Sequence, residues 1–190
     1  KKTTLERILN DNKSPLIVNF AYYNCPKLCS LVLDGIKQGI IGLEKKYLKD
    51  LKVITISIDP KDTTELAKIY HQRYTGNLDN KINKKQWIFS TTNPTNIEKI
   101  TSSLGYEYKR LDNGKDYSHP SAIFIVSPNG RISRYLYGII YSPFNIKMSL
   151  IEAKKNKTIT TLEKTLLYCY SYNPDENSFV INAIRLMRIA

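Results

Sequence analysis

The chain reads as an α/β protein, a mixed sheet flanked by helices and followed by a C-terminal extension, on three observations. Strand-like apolar runs alternate with segments of helical period over roughly the first 150 residues. Two runs late in that region flank a Pro-Asn-Gly turn at 128–130, which is a hairpin pattern. Beyond about residue 155 the alternation stops and the character of the chain changes.

Taken in order, residues 3–9 can form a short amphipathic helix ending at the Asn-Asp-Asn-Lys-Ser turn of 10–14. Pro15 introduces Leu16-Ile17-Val18-Asn19-Phe20-Ala21-Tyr22, an apolar run of the length a buried strand takes. Leu28, Leu31, Val32, Ile36, Ile40, Leu43 and Tyr47 recur at three- and four-residue spacing, the apolar face of one long helix. A second strand is expected over 51–58. Asp62, with Glu65 three residues on, is placed to cap a helix running to Tyr74. The Lys- and Asn-rich stretch 75–86 looks like an inserted loop, and Trp87-Ile88-Phe89 a short strand.

Asn93-Pro94 supplies a cap and a first-turn proline for a helix reaching Leu104. The hairpin strands are 122–126 and 132–137, and Ser142-Pro143 opens a last helix ending near Ala153. The order β-α-β-α-β-α-β-β-α, with helices over both faces of the sheet, is thioredoxin-like with insertions. Residues 1–155 are therefore expected to form one domain. The extension, 156–190, holds a strand within 162–172, a turn at Asn173-Pro174-Asp175 and an apolar stripe over 180–189. It is expected to pack on the domain or to lead to a membrane anchor outside the given sequence.

A length of 190 residues with 42% hydrophobic and 24% charged side chains suits a globular domain with a buried core. No run of about 18 apolar residues is present to span a membrane as a helix. Without an initiator Met or a signal-peptide pattern, the chain is expected to be a mature or trimmed piece. A net charge of +12 would suit an anionic membrane surface or an acidic partner. The lysines look scattered, however, which points to a drift of composition. No basic block interleaves with aromatics, so nucleic acid is not an expected partner.

Cys25 and Cys29 lie close together and Cys169 stands alone, unlike the dense even set of a disulfide scaffold. The pair joins the first strand to the long helix. Pro26 suits the first helical position, so Cys25 is expected at or near the N-cap with Cys29 one turn further in. Residues four apart share a helix face at roughly 6 Å along the axis, close enough for a disulfide or one shared ion. The helix N-terminus favours thiolate over thiol. The spacing is longer than the Cys-x-x-Cys of ordinary dithiol oxidoreductases. Soft thiolates favour Cu(I), whereas a structural zinc site needs four ligands from a chain with two His and three Cys.

His119 precedes the strand 122–126, and in a thioredoxin-like order that loop faces the start of the first long helix. An imidazole ligand and an ordinary loop histidine are equally compatible with this position. His71, among solvated residues of a helix, reads as a surface side chain. Cys169 reads as a core thiol in an aromatic strand.

Three segments in order resemble the Sco/SenC family of copper-binding thioredoxin-like proteins. They are Asn19-Phe20-Ala21-Tyr22-Tyr23-Asn24-Cys25-Pro26-Lys27-Leu28-Cys29, then Ser57-Ile58-Asp59-Pro60-Lys61-Asp62-Thr63, then Tyr117-Ser118-His119 with the Ser-Ala-Ile-Phe-Ile-Val-Ser-Pro-Asn-Gly that follows Pro120. The tail is similar to that of bacterial members whose domain precedes a membrane segment. The resemblance implies delivery of Cu(I) or Cu(II) to the copper-bearing subunit of cytochrome oxidase, with Cys25, Cys29 and His119 as ligands. It implies a place in the periplasm or at the outer face of the cytoplasmic membrane, with a membrane anchor in the full-length protein.

Two positions depart from the family pattern. Ser118 stands where members often have Asp before the histidine, with Asp116 nearby, and Pro120 follows His119. Pro120 sits where thioredoxins place a cis-proline, so a cis His119–Pro120 bond is expected. The rival activity is thiol–disulfide exchange by Cys25 and Cys29, reducing a cysteine pair on the oxidase or another exported protein and recharged by a thioredoxin-like reductant. A peroxidase fits less well, since no Arg lies near Cys25 in sequence. A silent binding module would need a pair that is buried and permanently oxidised.

Overall fold

The computed structural model describes residues 4–10, 14–49, 51–76, 78, 81–111, 114, 116–157, 170–173 and 178–181. In chain order its first unit holds α1 (Leu5–Asn10), β1 (Leu16–Ala21), α2 (Leu28–Ile41), α3 (Lys45–Leu48), β2 (Lys52–Ser57), α4 (Thr64–Thr75) and β3 (Trp87–Ser90). There follow α5 (Pro94–Ser103), β4 (Lys109–Arg110), β5 (Tyr117–Ser118), β6 (Ala122–Val126), β7 (Ile132–Tyr137) and α6 (Pro143–Lys154).

Five strands make one mixed sheet in the order β3-β2-β1-β6-β7. The first three run parallel, with Ile17 opposite Val53 and Val53 opposite Trp87, while β6 and β7 run antiparallel. Central strands buried on both faces need apolar residues at consecutive positions, and β1 and β6 have them. Alternate side chains then feed two cores. Ile17, Val53, Ile123 and Ile125 pack under α2 and α6 with Tyr74 and Trp87. Leu16, Val18, Phe20, Ile54, Ile56 and Phe124 pack with Ile8 of α1, Ile97 of α5 and Cys29. This is the thioredoxin-like mixed sheet flanked by helices.

Several expectations need correction. The periodic stretch 28–47 is two helices, because α2 closes at Gly42, whose N–H returns to the Gln38 carbonyl, and α3 begins after a turn. Asp62 does not cap α4. Thr63 does, accepting from the Leu66 N–H at 3.3 Å, while Asp62 is buried and turned toward β1 and β2. The inserted loop is partly core, since Leu78 and Ile82 are buried. The β4–β5 pair, two residues per strand, had no strand-like pattern to announce it.

A second compact unit spans Thr158–Ala190. Among its described residues, β8 (Tyr170–Asn173) pairs antiparallel with β9 (Ser178–Ile181). Cys169 and the remainder of the 180–189 stripe lie outside the described residues.

Candidate metal centre

The site forms where β1 ends. Apolar pairing gives out after Ala21, and Tyr22 to Cys25 fold into a turn closed by the Cys25 N–H donating to the Tyr22 carbonyl at 3.1 Å. Pro26 does not open α2, and Cys25 is not its N-cap. Lys27 takes that position without a side-chain cap bond. The Cys25 sulfur, two residues earlier, instead accepts from the Cys29 N–H at 3.3 Å, meeting a first-turn donor that a Ser or Asp oxygen usually satisfies. Cys29 is buried in the first turn of α2, and its sulfur accepts from the Tyr22 N–H at 3.5 Å.

His119 arrives on the other side by way of the small β4–β5 pair. Leu111 N–H bonds the Asp116 carbonyl at 2.8 Å to close that hairpin, and β5 ends at Ser118. The His119 Nε2 then lies 3.7 Å from the Cys29 sulfur. Its Nδ1 lies 3.1 Å from the Pro120 carbonyl oxygen, which can only accept. A proton on Nδ1 would satisfy that oxygen and leave Nε2 as the ligating nitrogen, whereas a proton on Nε2 would serve the cysteine sulfurs instead. Tyr22 and Tyr106 hold the imidazole, with ring centroids 6.0 and 6.1 Å away. The His119–Pro120 peptide is trans, so the expected cis bond is absent. The ring is brought to Cys29 by the β4–β5 pair and these aromatic contacts.

Both described cysteines are free. The Cys25 thiol is held well below the ordinary thiol range, chiefly by a hydrogen bond from Cys29 and further by His119 and the N–H groups of Cys29 and Lys27. Cys29 is pushed far upward, by that same bond and then by burial. The pair therefore shares one proton, with the charge on the more exposed sulfur, and titrates as a unit.

Among the described residues, no group of three or more His, Cys, Asp or Glu side chains is placed, as it stands, to hold a metal ion. The Cys25, Cys29 and His119 cluster is an open arrangement with the buried sulfur at its base. His71 lies outside it. Rather than standing free at the surface, it is half-buried, with Nε2 2.9 Å from the Lys84 carbonyl oxygen and its ring against Phe89.

Three supports were not legible as such in the sequence. Asp62 accepts from the Tyr23 N–H at 2.7 Å and the Ser57 hydroxyl at 2.6 Å, tying the cysteine turn to the end of β2. Tyr70 donates to the Tyr23 carbonyl, and the Tyr23 hydroxyl donates to the Ser90 carbonyl at 3.0 Å. The Tyr22 hydroxyl donates to Asp116 at 3.2 Å, which brings that carboxylate beside the site without its preceding the histidine.

A fold of this class agrees with the family comparison. The SCO1/SenC family model matches residues 10–146, and the chain belongs to that family. An SCO2-like protein of Rickettsia conorii is 24% identical over 131 residues. That match covers 64% of this chain and 57% of the relative, so the chain spans less than two thirds of that protein's length. Among solved structures, BsSco, described as a member of the Sco family of cytochrome c oxidase assembly proteins with a disulfide switch, is 22% identical with a TM-score of 0.62. The alignment covers 83% of this chain and 88% of BsSco. Arabidopsis thaliana ScoI, solved with copper bound, is 17% identical with a TM-score of 0.59, covering 80% and 88%.

Proposed function

We propose that the chain carries copper as cargo on Cys25, Cys29 and His119 and passes it by ligand exchange to the copper-bearing subunit of a cytochrome oxidase. The observation behind this reading is the meeting of His119 Nε2 and Cys29 Sγ at 3.7 Å, between residues 90 positions apart. A first-row metal with a thiolate bond of about 2.3 Å and an imidazole bond of about 2.0 Å spans that distance at an angle of about 120°. Two thiolates and an imidazole suit copper in either oxidation state. Arabidopsis thaliana ScoI, solved with copper bound, supports the cargo, and BsSco, described as a member of a family of cytochrome c oxidase assembly proteins, supports the acceptor.

Cys25 favours the thiolate before any ion arrives, loading releases the proton held by Cys29, and the three side chains draw together around the ion. Cys29 is buried while Cys25 and His119 are half-exposed, so an acceptor ligand reaches the ion from the Cys25–His119 side. Cys29 is then the last ligand to let go. Residues 1–155 perform this role with 156–190 as an extension, at the outer face of the cytoplasmic membrane and anchored there in the full-length protein.

The shared proton also favours a second reading, thiol–disulfide exchange. The Cys25 thiolate would attack a substrate disulfide and release one substrate thiolate. Cys29, losing its proton, would then attack Cys25 and free the second. Two electrons pass to the substrate, the chain is left with a Cys25–Cys29 disulfide, and an external dithiol restores it.

The His119→Ala variant separates the readings. On the copper reading it fails to load an acceptor domain with copper yet still reduces a model disulfide. Copper loading at the unaltered rate would contradict the assignment of His119.

A further inference from the structure

We propose that the pole of the domain opposite the cysteine site is a docking surface for an anionic phospholipid bilayer, leaving the copper-transfer face turned outward. The sequence alone suggested evenly scattered lysines, but the topology gathers many of them. β1, β2 and β3 run parallel, so all three begin at one pole and end at the other, where Cys25 lies. At the starting pole stand Lys45 and Lys49 around α3, Lys84 and Lys85 before β3, and Lys154 and Lys155 at the end of α6, all exposed.

These segments are fastened to one another. The Gln86 amide donates to the Leu48 and Leu51 carbonyls at 2.7 and 2.8 Å, which joins the Lys84–Lys85 turn to α3 and β2. The Ser133 hydroxyl donates to the Lys157 carbonyl at 2.6 Å, which fastens the chain after α6 to β7. The nearby carboxylate of Glu44 is engaged by Lys46 at 2.8 Å and Lys147 at 3.6 Å. Helix-dipole complementation would explain Lys154, at the end of α6, but not the four lysines around α3 and β3.

A bilayer fits this pole better than an acidic protein does, because the charge surrounds an apolar recess. A cavity of about 330 Å³ is lined by Tyr47, Leu51, Leu150 and Ile151 and flanked by Lys46 and Lys154. Leu51 and Leu150 belong to the core, so the contact falls to the half-buried Tyr47 and Ile151, an aromatic and an aliphatic side chain beside lysines, as at the boundary between acyl chains and headgroups. Each lysine held against an anionic leaflet strengthens partitioning roughly fivefold at moderate salt, so a handful of them suffices for reversible binding.

The test is flotation of the full chain with vesicles of phosphatidylcholine alone or with phosphatidylglycerol, at low and high salt. Binding is expected only with phosphatidylglycerol and is expected to be lost at high salt. The triple variant Lys45→Glu, Lys49→Glu, Lys85→Glu should lose at least a hundredfold. The charge-matched Lys61→Glu, Lys68→Glu, Lys109→Glu variant, altered away from this pole, should lose less than tenfold. Cys25 on vesicle-bound protein should remain as reactive to a membrane-impermeant maleimide as in free protein. Equal losses in the two triple variants, shielding of Cys25, or binding to an acidic protein but not to vesicles would overturn the proposal.

Discussion

The Cys29 amide donates to the sulfur of Cys25 at 3.3 Å, so the residue that enters helix α2 also stabilises charge on the residue that does not. Serine or aspartate in that role would supply an oxygen. Here the acceptor is a soft sulfur that keeps its charge and stays half-exposed, while its partner is buried and protonated.

The pH dependence of alkylation follows from that arrangement. An ordinary thiol loses reactivity about tenfold per pH unit below its pKa. Because the Cys25 pKa is lowered, its alkylation by iodoacetamide should stay nearly flat from about pH 8 down to 5, with Cys29 unmodified, as read by peptide mass mapping.

Stability of the reduced chain should respond as well. A lowered pKa at Cys25 contributes stability that is present above the unfolded thiol value and is lost as pH falls toward the folded value. The raised pKa at Cys29 acts in the opposite sense, contributing below the unfolded value and losing that contribution as pH rises past it. Stability from the pair is therefore expected to peak near the unfolded thiol pKa, about 8.5. Chemical denaturation of the reduced protein between pH 6 and 10 should show a peak that is absent in the Cys25→Ser, Cys29→Ser double variant.

Asp62→Ala should be costly although the residue touches no cysteine. It strands the buried Tyr23 N–H and leaves the Ser57 hydroxyl only its longer bond to the Asp59 carbonyl, at a cost of about 1–3 kcal/mol. Asp62→Asn keeps one acceptor oxygen and should recover much of that loss. Urea midpoints measure the stability, and copper retention against a chelator should fall in the order wild type, Asn, Ala.

Gly35→Ala inverts the usual rule for helices, where alanine gains about 1 kcal/mol over glycine. A Cβ at Gly35 would stand 2.0 Å from the Ile139 carbonyl oxygen, a backbone atom that cannot swing aside. The variant should lose about 1–3 kcal/mol by thermal or urea unfolding. The displaced loop bonds Gly138 N–H to the Ser121 carbonyl, so a shift of His119 is also expected in its NMR resonances.

Much of the fold was legible because β1, β2, β6, β7 and the caps Asn93 and Ser142 carry local signals, namely apolar runs, turn residues and first-turn prolines. What escaped was tertiary. The apolar period of 28–47 continues smoothly past Gly42, so nothing local marked the break between α2 and α3. Asp62 has the spacing of a helix cap, and only the packing of β1 against β2 shows that it serves Tyr23 instead. The cysteines were visible as a pair, and His119 stood out through its neighbours. The β4–β5 pair that delivers His119 is too short to leave a periodic trace. The lysines of the opposite pole come from three separate segments, which only the parallel strands bring together.

Copper stoichiometry in single-site variants tests the central claim most directly. The reduced chain, titrated with Cu(I) in competition with a chelator, should bind one ion. Cys25→Ser and Cys29→Ser should each abolish that binding, and His119→Ala should weaken it at least tenfold. Unaltered affinity in His119→Ala, or no copper binding by the reduced wild-type chain, would contradict a site made of Cys25, Cys29 and His119.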